Sequence, residues 1–88
     1  MNPNAILIDS TDNVATLLVE VREGELVSCG DQPPVAARES IPVGHKVALV
    51  EIAEGECVRK YGHPIGIASR RIAAGEHVHL HNLALEEV

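Results

Sequence analysis

The chain has 88 residues, 45% of them apolar, and a net charge of −6, which bounds it to one small domain (residues 1–88) burying about 60–65% of its unfolded surface. The acidic balance argues against nucleic acid as a partner. No stretch reaches the roughly 18–20 apolar residues of a membrane span, and Met1-Asn2-Pro3-Asn4 lacks the basic start and cleavage signal of a secretory leader.

Tyr61 is the only Phe, Tyr or Trp in the chain. The core is therefore expected to be aliphatic and thin, of the kind often supplemented by a homo-oligomer or by docking on a larger partner. Cys29 and Cys57 lie far apart without Cys-x-x-Cys spacing and read as free buried thiols of a cytoplasmic protein. Charge is uneven. Residues 1–44 hold two Arg against seven acids, whereas residues 45–71 hold Lys46, Arg59, Lys60, Arg70 and Arg71 against Glu51, Glu54 and Glu56. A locally basic middle suits a small anion, or is simply a solvated face of mixed charge.

In chain order, strands are expected at Ala5 to Ile8, Asn13 to Val21, Glu25 to Cys29, Lys46 to Glu51, Glu56 to Lys60, Ile65 to Ala68 and His77 to Asn82. Each is rich in branched residues and bounded by Gly or Pro. Val35 to Glu39, after Pro33-Pro34, is expected as a short helical turn. No segment carries a long 3.6-residue apolar period, so the fold class is mainly β.

The strands are organised by a repeat. A branched apolar residue, two others, Gly, two others and Val recur from Val21, Ile41, Ile52 and Ile72, with glycines at Gly24, Gly44, Gly55 and Gly75. The spacing implies two copies of a longer unit offset by 31 residues. Laying 18–49 over 49–80 matches Leu18 with Leu49, Gly24 with Gly55, Ala37 with Ala68, Ile41 with Ile72 and Val47 with Val78, among others. Two copies imply a pseudo-symmetric domain, since a solenoid needs about three or more.

The chemistry concentrates in His77-Val78-His79-Leu80-His81-Asn82. Alternation on a strand turns Val78 and Leu80 to the core and the three histidines outward. In the first copy the histidine positions hold Lys46, Ala48 and Val50, so the scaffold does not require histidine there. Neighbouring rings at i and i+2 can share a metal ion. The outer pair, about 13 Å apart on a straight strand, cannot, so a mononuclear site needs a ligand from elsewhere, such as His45 or His63. Hydrogen bonding and proton transfer are the alternative uses, and an exposed stripe without a role is a third. Lys46 and Lys60 can pair with a carboxylate as point charges. Tyr61 can assist acid–base chemistry, or can plug the small core with its hydroxyl outward.

Three ordered blocks, Gly44-His-Lys-Val-Ala48, Lys60-Tyr-Gly-His-Pro-Ile-Gly66 and Gly75-Glu-His-Val-His-Leu-His-Asn82, resemble the SAF-type N-terminal domain of the altronate/galactarate dehydratase family. The resemblance covers about residues 12–83 and extends to the small subunit of sulfolactate sulfo-lyase. It implies a β-clip-like SAF fold and a place in a lyase that removes water, or sulfite, from a sugar acid or related 2-hydroxy acid. It also implies a large partner subunit carrying the rest of the active site, and iron held mainly by that partner. The motif residues it singles out are His45, Lys46, Lys60, Tyr61, His77, His79, His81 and Asn82. We take His45, His79 and Tyr61 as catalytic and Lys46, Lys60, His77, His81 and Asn82 as substrate-binding. The alternative is a non-catalytic SAF module that binds a small anion or carbohydrate, or assembles a complex.

Overall fold

The computed structural model describes residues 3–30 and 32–85. Among them every regular element is a strand: β1 (Ala5–Ile6), β2 (Val14–Leu17), β3 (Leu26–Val27), β4 (Val35–Ala36), β5 (Lys46–Ala48), β6 (Cys57–Lys60), β7 (His63–Ala68), β8 (His77–Val78) and β9 (Leu83–Ala84). They form three small antiparallel sheets, ordered β1-β2-β5-β8, β3-β4 and β6-β7-β9. The expected mainly β class is what the protein adopts.

The duplication is built into the packing as two cores. One gathers Ala5, Ala15, Leu17, Val21, Val27, Ala37, Ile41 and Val47. The other gathers Val14, Ala48, Ile52, Val58, Ala68, Ile72, Val78 and Leu83. Leu17, Val21, Val27, Ala37, Ile41 and Val47 of the first recur 31 positions later as Ala48, Ile52, Val58, Ala68, Ile72 and Val78 of the second. The central sheet buries both faces. Val14 and Ala48 on one side and Ala15 and Val47 on the other are each almost fully covered, so β2 and β5 lack the apolar–polar alternation of a half-exposed sheet.

The shared polar framework repeats too. Asn4 Nδ2 donates to Leu26 O and Asn4 Oδ1 accepts from Ser28 N. Asn13 does the same to Cys57 O and Arg59 N. Isolated bridges join Val21 to Ile41 and Ile52 to Ile72.

The four glycine turns share one design, with one exception. In three of them the Glu after the glycine accepts, through its side chain, the N–H three residues back: Arg22 to Glu25, Ala53 to Glu56 and Ala73 to Glu76. In the fourth that residue is Pro42, which has no N–H to give, and the position after Gly44 is His45. Its ring is thus released from the turn.

Two local expectations are corrected. Val35 to Glu39 is not helical. Val35 and Ala36 pair with Val27 and Leu26 as β4, and Ala37 N donates to Glu25 O. The β-branched Val35 favours extended backbone here. The strand expected over His77 to Asn82 ends at Val78. Leu80, expected in the core, is 74% exposed, and Leu83 occupies the core in its place. The cause is Asn82. Its Oδ1 accepts from His79 N, its Nδ2 donates to His77 O, and its own N–H donates to His79 O. These bonds fold the chain back so that β9 can pair with β7.

Candidate functional site

Strand pairing brings the histidines together. Val47 on β5 lies opposite His77 on β8, and Lys46 opposite Val78. Continuing that register sets His45 across from His79 and diagonal to His77, on the Val47 face. The rings meet as this implies. His45 Nδ1 and His77 Nε2 are 2.8 Å apart, one donating to the other. Ring centroids of His45 and His79 are 4.9 Å apart, and those of His77 and His79 are 5.3 Å apart and stacked. One nitrogen from each of the three lies within 4.8 Å of the others. Of the two outside ligands the sequence offered, His45 is the one that converges on this group.

His81 is also nearby. Its ring centroid lies 5.6 Å from that of His77, which corrects the separation of about 13 Å expected of a straight strand. The turn closed by Asn82 folds the last histidine back. Asn82 itself is fully buried, with its amide committed to backbone, so it holds the loop that carries His79 and presents no free polar atom. Burial, then the neighbouring His45, holds the His77 imidazole below its ordinary pKa, opposed by Glu39. Glu39 Oε2 also accepts from His77 N at 3.3 Å. No local pattern signals this contact, which joins residues 38 positions apart.

The lysines form a separate group. Lys46 alternates with Val47, so it faces the other side of the sheet, beside Thr16 and Val78. Burial and then Lys60 hold its ammonium below the usual lysine range, while Tyr61 acts the other way. Lys60 Nζ lies 4.8 Å above the Tyr61 ring. Thr16 Oγ1 is buried and has no hydrogen-bond partner among the described residues.

Tyr61 and Gly62 are the two central residues of the β6–β7 hairpin, both with positive φ, 59° and 74°. That is the backbone a two-residue turn of this twist demands, and it is strained for tyrosine. Asp12 holds it. Its Oδ2 accepts from Tyr61 N and its Oδ1 from Gly62 N. Asp12 is almost fully buried, and it too escaped the sequence reading, because its partners lie about 50 residues downstream. Tyr61 is 55% exposed, so it does not plug the core.

The three converging imidazoles suit a first-row divalent transition ion, for which imidazole is a good ligand. Cys29 and Cys57, free and half-buried, are not among the converging groups. A hollow of about 370 Å³ lined by residues including Asp12, Pro33, Pro34, Leu49 and Val50 holds none of the histidines or lysines. Among the described residues no helix is long and apolar enough to cross a membrane.

The chain is similar in sequence to several known proteins. The altronate dehydratase of Escherichia coli is 51% identical over 77 residues, covering 88% of this chain, and that of Bacillus subtilis is 40% identical over the same length. The chain spans only 15% of the length of either. The (2R)-sulfolactate sulfo-lyase subunit alpha of Chromohalobacter salexigens is 36% identical, with 94% of this chain and 95% of that subunit covered. The altronate/galactarate dehydratase SAF domain model matches residues 3–86. With nearly the whole chain accounted for, from Ala5 of the first core to Leu83 of the second, this protein belongs to the altronate/galactarate dehydratase SAF-domain family.

Proposed function

We propose that this chain is a cytoplasmic small subunit of a sugar-acid lyase, and that it completes an active site whose larger part lies on a partner subunit. The observation that carries the reading is the histidine face. It is an addition that the duplicated scaffold does not need, in a family whose relatives include altronate dehydratases and a separate sulfo-lyase subunit of similar length.

Dehydration of a hydroxy acid removes the proton α to the carboxylate and expels the neighbouring hydroxyl as water, leaving an enol that becomes the keto acid. That requires a base, an acid and a fixed carboxylate. In this reading His45 and His79 supply imidazole nitrogens to the reacting end. His77 and His81 meet the substrate hydroxyls, and Asn82 holds the loop beneath them. Lys46 lies on the other face of the sheet, so in this reading Lys46 and Lys60 draw the anionic substrate in by their charge, the direct contact to its carboxylate comes from the partner, and Tyr61 donates a hydrogen bond from the rim. Iron, which this reading gives mainly to the partner, supplies Lewis acidity at the leaving hydroxyl.

The test is reconstitution. The chain alone has no dehydratase activity on a panel of aldonic and aldaric acids, and adding the large subunit with ferrous iron produces it. His79→Ala lowers the reconstituted rate by about a hundredfold or more, and Lys46→Ala lowers kcat/KM through lost attraction of the anion. Unchanged rates in both would reject the site assignment.

A second reading, a non-catalytic SAF module for a small anion, is favoured by one observation: Lys46 lies directly across from Thr16, whose buried hydroxyl has no partner among the described residues. It predicts binding of a sugar acid to the chain alone, measured by calorimetry and lost in Lys46→Ala, with no rate gained from any partner.

A further inference from the structure

We propose that His45, His77 and His79 form a binding site for one first-row divalent transition ion, held by this chain without a partner. The inference gives the three rings a different occupant from the substrate of the lyase reading, and its readout, ion binding to this chain alone, succeeds or fails independently of that reading.

Three observations carry it. First, the rings come from separate strands and still converge, since the β5–β8 register puts His45 across from the His77/His79 pair. Second, each is a departure from the scaffold. His77 and His79 stand where the first copy has Lys46 and Ala48. His45 stands where the other three turns have a capping Glu, at the one turn whose proline leaves no N–H to cap. A histidine freed from the turn and aimed at two others is a third ligand that the fold itself does not use.

Third, the distances are close to those of coordination. Bonds of about 2.0–2.1 Å to a tetrahedral ion set ligand nitrogens roughly 3.3 Å apart. The closest pair here, at 2.8 Å, has to open slightly. The widest separation, at most 4.8 Å, has to close by about 1.5 Å, which small rotations of the exposed His79 ring supply. Binding the ion replaces the proton now shared between His45 Nδ1 and His77 Nε2. Glu39, at the His77 backbone N–H, adds negative charge beside the site. Three protein ligands leave a fourth position open, the arrangement of a site that also takes water or a substrate oxygen.

The ligand set selects the metal class. Magnesium and calcium prefer oxygen donors and do not bind three imidazoles. Cobalt(II) titrated into the full chain is expected to develop the visible absorption of a low-coordinate nitrogen site, saturating at one ion per chain, and zinc is expected to displace it. Magnesium and calcium produce no heat in calorimetry. His77→Ala and His79→Ala each weaken cobalt binding by about tenfold or more, whereas His63→Ala leaves it unchanged.

Because a variant can lose its fold, the ring nitrogens of the unmodified chain are followed by NMR in parallel. Zinc is expected to shift those of His45, His77 and His79 together and leave those of His63 in place. Absence of cobalt absorption, a cobalt affinity unaltered in both histidine variants, or zinc shifts centred on His63 would overturn the site.

Discussion

Asp12 and Tyr61 show how one buried acid fixes a costly backbone. A tyrosine in the left-handed region costs about 1 kcal/mol relative to glycine, and strain of this kind persists where function uses it. Tyr61→Asn, which tolerates this conformation, is expected to leave chemical-denaturation stability equal or up to about 1 kcal/mol higher, while reconstituted activity falls. Asp12→Ala removes the acceptor for three backbone N–H groups, those of Asp9, Tyr61 and Gly62. It is expected to cost about 2–3 kcal/mol in the same measurement. Cys29 is a second residue whose surroundings set its chemistry. Burial pushes its thiol above the ordinary range, so its contribution to stability is present below the pKa of the unfolded thiol and is lost as pH rises through the folded one. Iodoacetamide at about pH 8 is therefore expected to alkylate Cys29 more slowly in the native chain than in urea, as read by mass spectrometry.

The glycine turns look interchangeable in sequence but differ in what surrounds them. Gly24, Gly44, Gly55 and Gly75 all have positive φ. A side-chain carbon at Gly44 meets open space, whereas at Gly75 it would run into the carbonyl oxygen of Ala36. Gly75 N donates to Ala48 O, and Gly75 O accepts from Arg38 N, so this turn is packed against the neighbouring repeat. Gly44→Ala is expected to cost about 1 kcal/mol from backbone strain alone. Gly75→Ala is expected to cost about 3 kcal/mol or more, because overpacking is added to the strain. Equal losses in urea denaturation would show that the packing around Gly75 yields. The same contrast runs between turns and strands at β8, where the Asn82 amide, not the apolar pattern, decides where the strand stops.

Two aliphatic cores share one central sheet, and each repeat fills its own. Ile41 and Ile72 are equivalent residues, fully buried in different cores. Ile41→Val and Ile72→Val are each expected to cost about 1 kcal/mol. The double variant is expected to lose the sum to within about 0.5 kcal/mol, as groups with no shared contacts do. A marked departure from additivity would mean that the cores are coupled through β2 and β5. Between the cores, opposite faces of the same sheet carry different chemistry, with histidines beside Val47 and Lys46 beside Val78. This division follows from the period of two along β5, which sends His45 and Lys46 to opposite sides.

The mainly β class, most of the strands, the 31-residue duplication and the group of residues from which a site is built are all legible in the amino-acid order. These follow from local rules: branched residues in strands, glycine where φ must be positive, and a repeat that shows which positions the scaffold needs. The repeat also marks His77, His79 and His81 as additions. Which groups meet is set by the packing of the folded chain. His45 joins His77 and His79 through strand register, Asp12 reaches Tyr61 across about 50 residues, and Glu39 reaches His77. The packing also turns Leu80 outward and brings Leu83 in, because the Asn82 amide is satisfied by closing a turn that no alternation of apolar residues encodes. Contacts between residues far apart in the chain depend on how the two repeats pack, and nothing in the local pattern around either partner carries that information.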